Sequence, residues 1–325
     1  MNKNQIDHDR LFKELLETFF AEFMQLFFPD AYQAIDFTHL KFLQQEVFTD
    51  VTAGERHEVD IIVETRLKEE PGLILVHVEP QSYVQKNFNE RMFIYFSRLY
   101  EKHRRKILPI AVFSYDQVRN ETDIYEQNFS FLDVLCFRFF KLELKKLSWW
   151  EYVQRDNPVA AALLSKMGFT EKEKVRVKLE FLRLLTRLKL DPARLELITG
   201  FFETYLKLNK QEEEQLNQEL GKINQKEAEL IMQVTTSWHE KGKIEGKIED
   251  ICKFMVRRFS ADYDEVIEKV RPVASLSADM ASLEILDGII EELFAANTLE
   301  EAQAIIRRAD GKSLQCRVGF QPAQG

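Results

Sequence analysis

Apolar residues recur at spacings of three and four from Leu11 to Phe27, through Phe12, Leu15, Leu16, Phe19, Phe20, Phe23 and Leu26. That period predicts one amphipathic helix over residues 7–28, capped by Asp7 or Asp9 and stopped by Pro29. The pattern then changes to strands. Phe42–Thr49 predicts the first, Thr52–Arg56 a turn, and Glu58–Thr65 the second. Lys68–Gly72 reads as a hairpin-type break before the strand carrying Glu79. Phe88–His103 predicts a helix, and Leu108–Tyr115 and Val134–Leu142 predict two more strands. Mixed α/β order is the outcome for residues 1–145.

Strand character ends there. Asn157-Pro158 opens a helix, Thr170–Lys189 forms a second, and Asp191-Pro192 opens a third that ends near Leu208. Lys210–Lys226 reads as a solvated helix or a linker. From Glu227 to Phe259 the stripe Leu230, Ile231, Val234, Trp238, Ile244, Ile248, Ile251, Met255, Phe259 predicts a long helix. Within it Gly242-Lys243-Ile244-Glu245 is followed by Gly246-Lys247-Ile248-Glu249. Each helical Gly costs about 1 kcal/mol relative to Ala, so the stripe predicts close packing on another helix, in the same chain or a second one. A homodimer through residues 227–259 is the expectation. Residues 251–308 read as a small helical module and 309–325 as a disordered tail. The division is therefore 1–145, a helical extension 146–225, the long helix with its module 226–308, and the tail.

At 325 residues, with 45% hydrophobic and 30% charged, the chain can bury a sizeable core in more than one domain. Met1–Arg10 is polar, and no apolar run reaches membrane-spanning length. Cys136, Cys252 and Cys316 have no metal-ligand spacing, which predicts reduced, mostly buried thiols in a cytoplasmic protein. A net charge of −9 argues against a surface coated in basic residues. It leaves room for local basic patches. Lys102-His103-Arg104-Arg105-Lys106 is one, and residues 171–190, with seven Lys/Arg against three Glu, are another.

Chemistry concentrates in Glu58–Gln81. Side chains alternate along a strand, so Val59, Ile61 and Val63 share one face and Asp60 takes the other. His77, Glu79 and Gln81 likewise oppose Val76 and Val78. Adjacent hairpin strands bring Asp60 and Glu79 together, and two such carboxylates repel unless a proton or cation lies between them. A hard divalent ion with oxygen ligands suits that place. No Gly-rich phosphate loop, Cys/His metal spacing or nucleophile elbow points to another reaction class.

The Asp60…Glu79-Pro80-Gln81 arrangement resembles the core of the PD-(D/E)XK nucleases, in the variant where Gln replaces Lys. His8-Asp9-Arg10-Leu11-Phe12-Lys13-Glu14-Leu15-Leu16, Val76–Gln81 and Glu90-Arg91-Met92-Phe93-Ile94-Tyr95 resemble the Rpn family of recombination-promoting nucleases, also described as putative transposases. The resemblance covers roughly residues 7–145. It implies a restriction-endonuclease-like mixed sheet followed by an all-helical C-terminal region, and a Mg²⁺-dependent DNA endonuclease. By that resemblance Asp60, Glu79 and the Pro80 carbonyl hold the metal, and Gln81 orients the attacking water. Asp9 and Lys13 close the site or meet phosphate, and Arg91 and Tyr95 contact the nucleic-acid backbone or buttress Glu79. Lys102, Arg104 and Arg105 are candidate DNA contacts. The bland readings are a helix cap, exposed helix charges and, for His77, a hydrogen-bonded structural histidine. A second functional class is an inactive nuclease fold that binds DNA or protein. Its support is the net negative charge and Pro80, which lacks the N–H that a central strand uses.

Overall fold

A computed structural model describes residues 8–43, 47–49, 56–58, 61–67, 70–79, 87–274 and 280–318. The chain divides into two units, Met1–Ala228 and Glu229–Gly325. The first opens with α1 (His8–Thr18), α2 (Phe20–Phe27) and α3 (Pro29–Ala34). The single helix expected over this stretch is interrupted at Phe19, with φ −124° and ψ 38°. Backbone bonds from Phe19 N to Leu15 O (3.0 Å) and Phe23 N to Phe19 O (2.9 Å) run across the break, so it is a kink. Pro29 starts α3 rather than only ending α2. At a first helical position its missing N–H has no intrahelical partner to lose.

Strands follow as β1 (Lys41–Leu43), β2 (Val47–Thr49), β3 (Arg56–Glu58), β4 (Ile61–Leu67) and β5 (Glu70–Glu79). After α4 (Phe88–His103) come β6 (Lys106–Phe113), β7 (Ile124–Phe129), β8 (Leu132–Arg138) and β9 (Phe140–Glu143). The central sheet has the order β1-β4-β5-β6-β9. Antiparallel pairing joins β1 to β4 and β4 to β5, and β5, β6 and β9 are parallel. Three expectations change here. Phe42–Thr49 is divided between β1 in this sheet and β2, which pairs with β3 in a separate ribbon. Val134–Leu142 is divided at buried Phe139, so β8 pairs with β7 in a hairpin and only β9 joins the sheet. The β4–β5 hairpin pairs Leu67 with Glu70, so β5 begins before Leu73.

One face of the sheet presents Ile62, Leu73, Leu75, Ala111 and Phe113 to Phe88, Met92, Tyr95 and Leu99 of α4. On the other, Phe20 of α2 meets Phe42 of β1 (ring centroids 5.9 Å) and Phe28 meets Phe140 of β9 (5.1 Å). Three layers result, each face burying an apolar set.

Five helices continue the unit: α5 (Trp149–Tyr152), α6 (Pro158–Leu163), α7 (Lys174–Leu188), α8 (Pro192–Tyr205) and α9 (Lys210–Leu220). Asn157 caps α6 by accepting from Val159 N and Ala160 N, and its Nδ2 donates to Glu22 O at 3.0 Å, tying α6 to α2. Asn209 and Glu212 form a capping box that makes α9 a helix rather than a linker. Phe12 of α1 meets Phe201 of α8 edge-on at 4.9 Å, and His8 Nδ1 lies 2.9 Å from the Tyr205 hydroxyl. Burying Phe12 alone contributes roughly 2–3 kcal/mol, so α8 is part of the core that α1 requires.

The long helix α10 (Gln225–Phe259) leads into α11 (Tyr263–Ala274), α12 (Met280–Ala295) and α13 (Leu299–Val318). In the second unit Ile244, Ile248, Ile251 and Met255 are buried with Val266, Val270, Leu286, Ile289, Leu293 and Ile305. That half of the predicted stripe is thus covered within its own unit. A Cβ at Gly246 would meet nothing within 4 Å, so close helix packing is not why Gly stands there. Helix α13 runs to Val318, into the stretch read as a tail; 319–325 lie outside the described residues. Among the described residues no helix is long and apolar enough to cross a membrane.

Candidate active site at the carboxyl end of the parallel strands

Parallel pairing sets Glu79 opposite Phe113 and Phe113 opposite Glu143, so the last residues of β5, β6 and β9 end together. Open α/β sheets bind ligands outside this end of their strands. Antiparallel β4 starts at the same end, with Ile61 opposite Val76, and Asp60 is the residue just before it. Asp60, Pro80 and Gln81 themselves lie outside the described residues, and of Asp9 and Glu79 only the backbone is described. Among the described residues no group of three His, Cys, Asp or Glu could hold a metal ion. The expected donors, two carboxylates and a backbone carbonyl, are all oxygen and fit a hard cation.

Helix α4 begins beside this end. Phe88 packs on Phe113 at 4.8 Å, and His77 lies between Phe88 (5.4 Å) and Tyr95 (5.6 Å). The Arg91 guanidinium sits over the Phe88 ring at 5.4 Å. Arg91, Tyr95 and His77 are therefore brought together. Tyr95 is buried (2% exposed) and Arg91 is half-buried. His77 is buried among rings, a setting that suits a structural histidine.

A second set of charges, which the sequence did not single out, lies past the end of β6. Lys166 is 3% exposed, donates to Asp116 Oδ1 at 3.0 Å, and places its ammonium 4.7 Å from the centre of the Tyr205 ring. Burial pushes its pKa below the usual lysine range, against the pull of Asp116. Tyr205 in turn meets His8 on α1. The chain Asp116–Lys166–Tyr205–His8 thus links the carboxyl end of β6 to the start of the helix that carries Asp9 and Lys13. At the end of β9, Glu143 accepts from Lys146 (2.8 Å) and from Glu121 N (3.2 Å), with Lys141 at 3.6 Å. Its oxygens are held by cations and an N–H. An acid closing a short apolar strand was the available signal for Glu143; Lys166 gave none.

Lys13 is half-buried on α1 with Glu17 at 3.9 Å. The basic cluster is not at this end. Helix α4 is the crossover of a parallel pair, so it returns the chain to the opposite end of the sheet, where Gly72 pairs with Lys106. Seven residues of strand separate the two ends, roughly 23 Å. There Arg105 is ion-paired with Glu64 of β4, Arg104 lies over the Tyr100 ring at 5.7 Å, and Lys102 is exposed. The Arg105 hydrogen bond holds the Glu64 carboxyl below its ordinary range. Much of the second basic stretch is engaged internally: Lys174 with Glu212, Arg183 with Glu180 and Glu227, Arg187 with Asp156, and buried Lys178 with Glu203.

Residues 6–146 match the family described as putative transposase, YhgA-like. No curated protein and no solved structure matches the chain.

Proposed function

Residues 6–146 carry the domain of the YhgA-like putative transposases, and from that premise we propose that the protein is a Mg²⁺-dependent DNA endonuclease. One observation carries the reading: the start of β4, the end of β5 and the first turns of α4 converge at the carboxyl end of the parallel strands. Asp60, Glu79 and the Pro80 carbonyl would hold the ion. Magnesium bound there supplies an acidified water and screens the phosphate. Gln81 orients the nucleophilic water by accepting a hydrogen bond, since an amide neither takes its proton nor adds charge. Arg91, fixed over Phe88, gives a positive charge beside the β5 end for the phosphodiester backbone, and Tyr95, one turn on, packs against His77 of β5. Lys13 on α1 is a further phosphate contact.

The test is plasmid cleavage with and without Mg²⁺. Asp60→Ala or Glu79→Ala is expected to lower cleavage by about 10³-fold or more, roughly 4 kcal/mol of barrier, with the circular dichroism spectrum and DNA affinity retained. Gln81→Ala is expected to be milder, because the metal ligands remain. Wild-type protein that binds DNA, cleaves none with Mg²⁺ and is unchanged by Asp60→Ala would establish the second reading, a binding module on a nuclease fold.

A further inference from the structure

Residues 114–123 leave the carboxyl end of β6, where Phe113 stands opposite Glu79, and run to β7. A connection without an element of its own has many conformations to lose on ordering. This one is held at three points. Lys166 donates to Asp116 Oδ1 at 3.0 Å, Lys146 to Asn120 Oδ1 at 2.8 Å, and Lys141 to Glu121 O at 2.5 Å. Glu121 N adds a bond to Glu143 at 3.2 Å. Between the anchors at Asp116 and Asn120 lie Gln117, Val118 and Arg119, all exposed.

Arg119 is the only cation of the loop. Its guanidinium lies 5.2 Å from the centre of the Tyr115 ring, and no carboxylate of the described residues is ion-paired with it. Tyr115 is buried and stands 5.7 Å from Phe113, which meets Phe88 at 4.8 Å, and Phe88 carries the Arg91 guanidinium. One run of three rings, from the loop to α4, therefore bears an arginine at each end, beside the finish of β5. A guanidinium seated on a ring stays charged, has less freedom to lose on binding, and presents a fork of donors that matches a phosphate.

Charge selects the ligand. Over residues 114–123 and 140–146 together with Lys166, Arg119 and four lysines stand against four carboxylates. Two of these, Asp116 and Glu143, are already met by Lys166 and Lys146. The cation left over is Arg119, and it faces water. We infer that Arg119 is a second contact, besides Arg91, for the phosphodiester backbone of DNA, carried on a loop that Lys141, Lys146 and Lys166 hold in place. The inference rests on the reading of this protein as one that acts on DNA, and adds to that reading a residue outside the metal site.

Fluorescence anisotropy of a labelled DNA duplex tests it on the full chain across a salt series, with Ca²⁺, which takes the same oxygen ligands, in place of Mg²⁺. Arg119→Ala is expected to weaken binding about tenfold and to lower the slope of log affinity against log salt by about 1. The loss should be equal on unrelated sequences, because a backbone contact reads none. Arg119→Gln must lose the same slope, which covers an alanine variant that misfolds. Arg119→Lys keeps the charge without the fork, so it is expected to hold the slope and recover part of the affinity. Wild-type protein that binds DNA with a slope indifferent to both neutral variants overturns the inference and leaves the nuclease reading to its own cleavage test. A slope lost in Arg119→Lys as well also overturns it, since charge would not be the cause. Protein that binds no DNA overturns both readings. Protein that binds through Arg119 yet cleaves nothing with Mg²⁺ upholds the contact and overturns the nuclease reading alone.

Discussion

At the Gly72–Lys106 end of the central sheet, opposite charges meet in partial contact with water. At the Glu79–Phe113–Glu143 end, a charge is taken out of water and held there. Arg105 and Glu64 are 37% and 33% exposed in their side chains, and a pair so wet contributes about 1 kcal/mol or less. Lys166 is almost fully buried, its counter-ion Asp116 is 61% exposed, and desolvating an ammonium costs several kcal/mol before its partner returns any of it. The contrast teaches that density of charge along the chain does not locate the charge that is buried. The end with the conspicuous basic cluster stabilises the fold, and the end with few obvious charges holds the costly arrangement.

The sharpest way to break this contrast is to remove one partner at each end. Asp116→Ala leaves the Lys166 ammonium without its counter-ion and is expected to lower unfolding free energy by about 1–2 kcal/mol, less than for a wholly buried pair because water reaches Asp116. Lys166→Met keeps volume and removes the charge, so urea denaturation should place it within about 1 kcal/mol of wild type or above it. The pH dependence carries a sign. A lysine whose folded pKa is lowered costs stability at low pH, and the cost is relieved as pH rises from the folded value toward the unfolded one near 10.4. Stability should therefore climb on going alkaline. Lys166→Met should remove its share of that climb, leaving the share of Lys178, which burial pushes down to about 7.

A smaller effect is expected from Lys102→Ala with Arg104→Ala. If DNA reaches the far end of the sheet, the slope of log affinity against log salt should fall by up to about 2, with cleavage at saturating DNA unchanged. An altered cleavage rate would place those residues in the chemistry and erase the distinction between the ends. Smallest is Glu64→Gln. Because Arg105 lowers the Glu64 pKa, its contribution is present above the unfolded carboxyl value near 4.3 and fades as pH falls through the folded one. The variant should lose under about 1 kcal/mol at pH 7 and show a shallower acid transition than wild type.

Helix α4 was legible to the residue, since Phe88, Met92, Tyr95 and Leu99 repeat on one face and set both period and length. Asn157-Pro158 and Asp191-Pro192 announced α6 and α8 because a cap followed by Pro satisfies the first turn locally. The β8–β9 division was hidden. Val134–Leu142 has no Gly or Pro, and only pairing with two different partners makes Phe139 a break. Strand β7, written Ile-Tyr-Glu-Gln-Asn-Phe, is too polar on its outer positions to stand out. The expectation of buried thiols failed at Cys136 for the same reason, because it faces outward on that hairpin. The basic cluster is near Glu79 in sequence but lies at the other end of the sheet. Parallel strands joined by a helix return the chain to the starting end, which puts residues 102–105 beside Gly72 rather than Glu79. Lys166 was illegible: nothing local distinguishes a helical lysine that ends beneath a tyrosine ring.

The contact between α1 and α8 also sets a timetable. His8 and Tyr205 are separated by 197 positions, so the first helix leaves the ribosome long before the surface it lies on exists. At ordinary rates of synthesis that interval is roughly ten to forty seconds. During it the face bearing Phe12, Leu15, Leu16 and Phe19, all at most 2% exposed in the finished fold, has no permanent cover. The nascent chain must shelter that stripe on α2 and the growing sheet, or on a chaperone, until α8 emerges. Completion of the N-terminal region is thereby coupled to translation well beyond residue 146, and the Glu79–Phe113–Glu143 end of the sheet would gain its neighbouring helix α1 last.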